Sequence, residues 1–269
     1  MTENEIRQTA MRQSAIDLNC QPDDFLKSEN VMVYSKTNPA ARKYLELPFA
    51  CNLVSYGTNL VASVQEQYEE IVRRYIDTCR PEHCFETPNL HLLDQAFQPY
   101  GQRVCFMAEY FLPVPALLKQ TDCGYELRVM QQTDFADLYV DAWSNALCEK
   151  RKELDVLGVG AFDHGELVGL AACSADCDTM WQIGVDVSED YRRQGIARAL
   201  TGKLALLILE RGRTPFYCAA WSNLKSVRNA ISSGFRPAWA ELTVKPQQLV
   251  DEINKVESVR GKTATETVC

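Results

Sequence analysis

Apolar residues alternate with polar or small ones along Ile183, Gly184, Val185, Asp186 and Val187, the period of two that lays one face of a strand on a core. Downstream, Ile196, Ala199, Leu200, Leu204, Leu207 and Ile208 recur at helical spacing with Lys203 among them, and Gly212 stands where such a helix stops. Between the two lies SEDYRRQGIA, a tight strand-to-helix junction with one glycine and two adjacent arginines.

The same reading orders the rest of the chain. It predicts a helix over 4–19 with Ile6, Ala10 and Ile16 inward, and strands over 30–37 and 47–53. A polar turn, SYGTN, precedes a predicted helix over 60–78. A short strand is expected at Cys84–Phe85, a helix from Asn89 to Phe97, and a strand over 102–111. The second half predicts a strand over 125–130, then a helix capped by Asp134 that carries Phe135, Leu138 and Val140. A hairpin follows, turning at DHGE, with strands around 159–162 and 167–173. After the junction come a strand at 217–220, a helix over 225–232, a strand over 238–244, a short helix, and an unstructured end from Ser258.

With 269 residues, 46% of them hydrophobic, the chain can bury one large core or two smaller ones. The proline-containing stretch 112–124 is the expected linker. The expected division is therefore an N-terminal α/β domain over 1–111, the linker over 112–124, a second domain over 125–245 and a tail over 246–269. A net charge of −8 argues against a nucleic-acid partner and is compatible with a cationic amine. The polar start MTENEIRQTAMRQ lacks a signal-peptide core, and no apolar run is long enough for a bilayer, so no membrane association and a cytoplasmic location are expected. The eleven cysteines then read as reduced. Without a C-x-x-C pair or a histidine cluster, no metal is expected.

The junction has the physics of an anion site. The first turn of a helix offers N–H groups with no helical partner, and the helix dipole adds positive potential. Gly195 lets a ligand approach the backbone, and Arg192, Arg193 and Arg198 supply charge suited to phosphate. An ordinary connection with solvated arginines fits the same residues.

From Tyr125 to Val244 the chain resembles the GNAT superfamily of acyl-CoA-dependent N-acetyltransferases. The resemblance lies in the order of elements, in RRQGIA at 192–197 against the family's Q/R-x-x-G-x-G/A, and in the block AWSNLKSVRNAISSGFRPAW with Asn223, Ser226 and the Gly234–Phe235 pair. It implies a mixed α/β fold whose central sheet is splayed at the cofactor-binding strands. It implies acetyl-CoA as acyl donor, with Arg192, Arg193, Gln194, Gly195, Ile196 and Ala197 around the pyrophosphate. Val185 and Val187 would pair with the pantetheine arm, and Asn223 and Ser226 would lie on its far side. The reaction implied is acetyl transfer to a primary amine of a small molecule, and the family's dimers leave a homodimer open. A non-catalytic acetyl-CoA-binding module is the alternative.

The chain departs from the family where Ala230 stands at the position of an acidic tyrosine and where no glutamate base lies on the central strand. Tyr217, Cys218 and His164 are the substitutes at hand, each with a structural role as the competing account, so no catalytic residue is assigned. An ungapped alignment of 81–90 on 215–224 shares Pro, Cys, Asn and Leu, and with SYGTN in the place of the phosphate loop it raises a degenerate internal duplication.

Overall fold

The computed structural model describes residues 1–260. Along the chain come helix α1 (Glu3–Leu18), strands β1 (Val31–Tyr34), β2 (Cys51–Ser55) and β3 (Val61–Val64), helices α2 (Glu69–Thr78) and α3 (Thr87–Phe97), and strand β4 (Gln102–Pro113). Strands β5 (Glu126–Gln131), β6 (Asp155–Asp163), β7 (Glu166–Ser174) and β8 (Met180–Val187) follow, then helix α4 (Ile196–Glu210) and strand β9 (Thr214–Ala220). Helix α5 (Leu224–Ser232), strand β10 (Phe235–Pro246) and helix α6 (Gln247–Arg260) complete the mixed α/β fold. Of the end expected to be unstructured from Ser258, residues 258–260 belong to α6, and the remainder lies outside the described residues.

The chain forms two compact units. One comprises residues 1–10 and 110–238; the other comprises 11–109 and the described residues from Trp239 onward. This differs from a division at a 112–124 linker. Strand β4 continues through Pro113, and Leu118 is buried in a core with Phe111. Val114 N–H donates to Gly234 O at 3.0 Å, and a Cβ on Gly234 would lie 2.8 Å from the Leu117 backbone. The prolines here mark a packed turn.

In the second unit β3 pairs in parallel with β1 and antiparallel with β2, and β2 pairs antiparallel with β10. Cys51, Leu53, Ala62, Val64, Leu242 and Val244 pack there with Val72, Ile76, Leu93 and Phe97 from α2 and α3. Buried Arg42 joins Asp17 at 2.5 Å and Glu241 at 2.7 Å, and Trp239 Nε1 donates to Glu241 at 2.7 Å. Three buried charges with this many hydrogen bonds fix the arrangement of α1, the 42 loop and β10, since removing one partner leaves the others desolvated and unpaired.

Two expectations fail in this unit. The helix over 60–78 is a strand, β3, followed by α2, because β-branched and small residues at Val61–Val64 are buried on both faces. The strand at Cys84–Phe85 is absent: Pro81–His83 forms a 3₁₀ turn, and α3 begins at Thr87. SYGTN closes the β2–β3 hairpin and leads into no helix. Residues 81–90 and 215–224 therefore do not share secondary structure, whatever their identities.

The first unit carries the strand order β9-β8-β7-β6-β5. Val159, Ala161, Val168, Ala171 and Ile183 pack against Ile196, Leu200, Leu204 and Ile208 of α4. The other face is covered by 3₁₀ turns at Gln132–Phe135, Asp141–Trp143 and Glu149–Leu154, with Phe135, Trp143, Ala146 and Leu147 inward. The helix expected after Asp134 is thus replaced by turns. Asp134 Oδ2 does accept Gln131 N–H at 2.7 Å, but Val140 is exposed. At Gly158 a Cβ would lie 3.0 Å from the Phe135 ring, so the sheet admits the aromatic side chain here by lacking its own.

Asp155, at the head of β6, is 1% exposed and accepts Cys148 N–H at 2.9 Å. Burial pushes its carboxyl up from 3.8 to about 6, with the Cys148 N–H pulling the other way. The fold therefore prefers the protonated form. As pH rises from about 4 to about 6, the unfolded chain loses this proton before the folded one and stability falls; above that range the penalty is constant, at most about 3 kcal/mol. Asp155→Asn should gain stability relative to the parent as the pH is raised through this window, measured as urea midpoints at its two ends. A difference that does not change with pH would remove burial as the cause.

Candidate functional site

The site is built on an interruption in the sheet of the first unit. On one side, β8 pairs antiparallel with β7 along its length, from Gln182–Ser174 to Val187–Gly169. On the other it pairs in parallel with β9 at only three positions, ending at Gln182–Phe216. Beyond them, residues 183–187 and 217–220 diverge and leave a wedge. Ser188 N–H donates to Val168 O at 2.9 Å. The alternation of an antiparallel ladder then directs the N–H and C=O of Asp186 and Gly184 toward β7, and those of Ile183, Val185 and Val187 into the wedge. The backbones of Val185 and Val187, assigned to the arm from sequence, are thus brought to its edge.

Side chains follow the opposite alternation. Ile183, Val185 and Val187 join the α4 core. Gly184 and Asp186 face the turn segment at 143–147. A Cβ on Gly184 would lie 1.8 Å from Asn145 O, so only glycine admits this approach. Asp186 accepts Asn145 N–H at 2.8 Å, Asn145 Nδ2 at 2.6 Å and Ala146 N–H at 2.9 Å. Burial pushes its carboxyl above the usual value, against the pull of those donors. Glycine and aspartate together clamp this segment over the strand. The signal was present in the sequence as a glycine at a strand-interior position, but its consequence needed the partner segment.

The connection after Val187 has the form of an anion cradle. A 3₁₀ turn at Glu189–Tyr191 is tied down by Tyr191 Oη donating to Asp163 at 3.0 Å. Arg193 has φ 66° and Gly195 φ 85°. Two left-handed residues so close together turn the chain sharply into α4. Gly195 caps α4 with no side-chain acceptor, and the first helical bond is Ala199 N–H to Gly195 O at 3.0 Å. The N–H groups of Ile196, Ala197 and Arg198 therefore lie at an uncapped helix start. The Ile196 side chain is buried and anchors this turn. Arg192 Nε donates to Val187 O at 3.1 Å and its NH1 lies 3.7 Å from Glu189. Gln194 accepts from Tyr125 Oη at 2.6 Å. Arg192, Arg193, Gln194, Gly195 and Arg198 are all exposed.

Across the wedge, Asn223 Oδ1 accepts Ser226 N–H at 3.2 Å, so Asn223 caps α5. Ser226 Oγ lies 2.8 Å from the hydroxyl of buried Tyr217. Cys218 Sγ accepts from Gln182 Nε2 at 3.2 Å. His164 is 97% exposed at the hairpin tip, beside Asp163, and takes no part in the wedge. Ala230 is buried. Asp186, held by three donors, is not placed to serve as a base. Among the described residues no cluster of three or more His, Cys, Asp or Glu could hold a metal ion, no cysteine is in a disulfide, and no helix is long and apolar enough to cross a membrane.

The family model described as GNAT acetyltransferase matches residues 56–238, more than half of the chain, and so begins well before the 125–244 block that carried the resemblance. No curated protein matches. Among solved structures, a GCN5-related N-acetyltransferase-like protein from Streptococcus suis is 23% identical, with 57% of this chain and 68% of that one covered and a TM-score of 0.43. An acetyltransferase of the GNAT family from Colwellia psychrerythraea is 15% identical over 54% of this chain and 57% of its own, with a TM-score of 0.40. The chain thus spans little more than half of that protein. A Drosophila protein is 11% identical over 90% of this chain and 88% of its own, with a TM-score of 0.45.

Replacing Asp186 by alanine leaves two backbone N–H groups without their acceptor and should cost about 2–4 kcal/mol, while asparagine, which keeps one accepting oxygen, should cost less. Thermal unfolding of the two variants checks this. Equal midpoints for parent and alanine variant would mean that the clamp contributes nothing.

Proposed function

The chain belongs to the GNAT acetyltransferase family, and on that footing we propose that it transfers an acetyl group from acetyl-CoA to a primary amine of a small molecule, by direct attack in a ternary complex. Acyl transfer from an acyl-CoA is what the family supplies; the acetyl donor, the amine and the residues named below are our reading. The observation that carries it is the parting of β8 and β9 beyond Gln182–Phe216, next to an uncapped helix start flanked by arginines.

The wedge offers the C=O of Ile183, both backbone groups of Val185 and the N–H of Val187 to an amide-bearing arm, which takes the place of a neighbouring strand, while Arg192 holds the Val187 C=O. The N–H groups from Arg193 to Arg198 receive the pyrophosphate, with Arg192, Arg193 and Arg198 adding charge. Asn223, while capping α5, presents its Nδ2 to the arm's far side. Its neighbour Ser226 lies near the arm's end. The Val185 N–H, farther into the wedge, supplies a donor for the oxyanion that forms when a neutral amine attacks the thioester. Holding amine and thioester together in reactive geometry contributes on the order of 7–11 kcal/mol, which makes this fold's main contribution one of positioning. The amine's proton leaves to water. The acidic surface favours a cationic amine, and location in the cytoplasm and a homodimer complete the reading.

Calorimetric titration with acetyl-CoA tests it first. Micromolar binding, about −8 kcal/mol, is expected. Gly195→Glu should abolish it by placing a carboxylate in the cradle. Gly195→Ala, which shares the left-handed strain but not the charge, should retain more affinity. Arg192→Ala with Arg193→Ala should weaken binding at least about tenfold. Thiol release with a panel of amines then separates an enzyme from a non-catalytic binding module. Unaltered affinity in the Gly195→Glu and double-arginine variants would sink the cradle assignment.

A further inference from the structure

We propose that Cys79 and Cys84 form a reversible disulfide that locks the connection between α2 and α3, closing through a mixed disulfide of Cys79 with a small disulfide oxidant of the glutathione class. The proposal stands apart from the acyl-CoA reading, because the pair lies in the second unit and uses none of the wedge residues.

The connection folds back on itself. Cys79 ends α2 in extended conformation, with φ −107° and ψ 137°, and Arg80 continues extended. Pro81 then opens a 3₁₀ turn, in which His83 N–H donates to Arg80 O at 2.9 Å and Cys84 N–H to Pro81 O at 3.4 Å. The turn returns Cys84 to the end of α2, where its thiol shares a side-chain hydrogen bond with that of Cys79. Tyr75, one helical turn before Cys79, donates its hydroxyl to the Cys84 carbonyl and fixes the loop. Cys84 and Tyr75 are core residues of this unit, and Cys79 packs against them. Other cysteines are engaged differently: Cys218 accepts from Gln182 at 3.2 Å, and Cys177 donates to Met180 O at 3.4 Å.

The two thiols differ as an exchange pair requires. Cys79 is half-buried beside exposed Arg80, so a small oxidant can meet its sulfur. Cys84 is fully buried, out of that oxidant's reach but in contact with Cys79. Bonding brings the sulfurs to about 2.05 Å, a change that rotation of the Cys79 side chain supplies.

The sequence balances in two exchanges. Cys79 gives its proton to water, and its thiolate attacks one sulfur of oxidised glutathione. The other sulfur leaves with the electron pair and takes a proton from water. Cys84 then loses its proton to water, and its thiolate attacks Cys79 Sγ and expels the second glutathione thiolate. Two cysteine thiols are oxidised and one glutathione disulfide is reduced. Burial raises the Cys84 thiol to about 12, with Cys79 and Glu82 of the same connection pushing the same way. Tyr75 of α2 and Cys51 of β2 are the other titratable groups packed there. The second exchange is therefore the slow one, and it quickens with pH as the Cys84 thiolate fraction grows.

The test exposes the reduced full chain to oxidised glutathione and follows peptide 75–103 by mass spectrometry after an acid quench. Trypsin spares Arg80 before Pro81, so this peptide holds both cysteines. In the parent it should first carry glutathione and then lose it, ending two hydrogens lighter than the reduced peptide, and dithiothreitol should restore both thiols. Loss of glutathione should quicken about tenfold per pH unit between about pH 7 and pH 9. Cys84→Ala should stop at the glutathione adduct, and Cys79→Ser should leave the peptide unmodified. A parent peptide that stays reduced, or that keeps its adduct at the upper pH, overturns the assignment. So does a bond from Cys79 to any other cysteine. If Cys84→Ala does not fold, the half-buried Cys79→Ser variant decides, and modification of Cys84 in it overturns the order of exchange proposed here.

Discussion

Two parallel strands that begin as neighbours and then part create an unusual demand: the backbone groups along their inner edges lose the partners that a sheet supplies. In the first unit this happens after Gln182–Phe216. Leaving such groups buried and unmatched costs on the order of 1–3 kcal/mol each. The surrounding structure makes the opening durable. β8 keeps its full antiparallel ladder with β7, so one edge is fixed while the other is free. The α4 core grips Ile183, Val185 and Val187 from one side, and the segment held by Gly184 and Asp186 closes over the other. A strand supported on three sides can leave its fourth open.

The phosphate-type cradle depends on the same strand. Its turn starts where β8 ends, and Arg192 bonds back to the last carbonyl of that strand. Tyr191 and Gln194 are tied to Asp163 and Tyr125, so both ends of the turn are anchored in the β5–β7 part of the unit. The left-handed conformations of Arg193 and Gly195 are then held by their surroundings. The wedge and the cradle are contiguous features of one strand and its continuation, which is why a single elongated ligand with an anionic end is the chemistry they fit.

The alternation Ile183–Val187, the helical repeat from Ile196 to Ile208, the hairpin at DHGE and the glycine of the junction were legible because each is a local pattern with a local cause: period, spacing or turn chemistry. The errors share a different cause. Val61–Val64 reads as the start of a helix until its pairing with β1 and β2 is known. The stretch after Asp134 has a helix's apolar residues, but packing of Phe135 and Trp143 on the sheet breaks it into turns. The prolines after Leu112 resemble a linker, yet Leu118 and the backbone beside Gly234 are packed.

The sequence by itself determined the strand order of the second half and the family, and it carried the expectation of an anion site at the Arg192–Ala197 junction, because these depend on residues adjacent in the chain. Only the tertiary structure decided where β8 and β9 separate, that Asp186 is bound to Asn145 and Ala146 and not free to act as a base, and that Tyr217 meets Ser226 in the core between the sheet and helices α4 and α5. Each of these is a relation between segments that approach only on folding. Hydrogen-bond register and side-chain contact are set by where the partner strand or turn arrives, and no spacing within a single segment encodes that arrival.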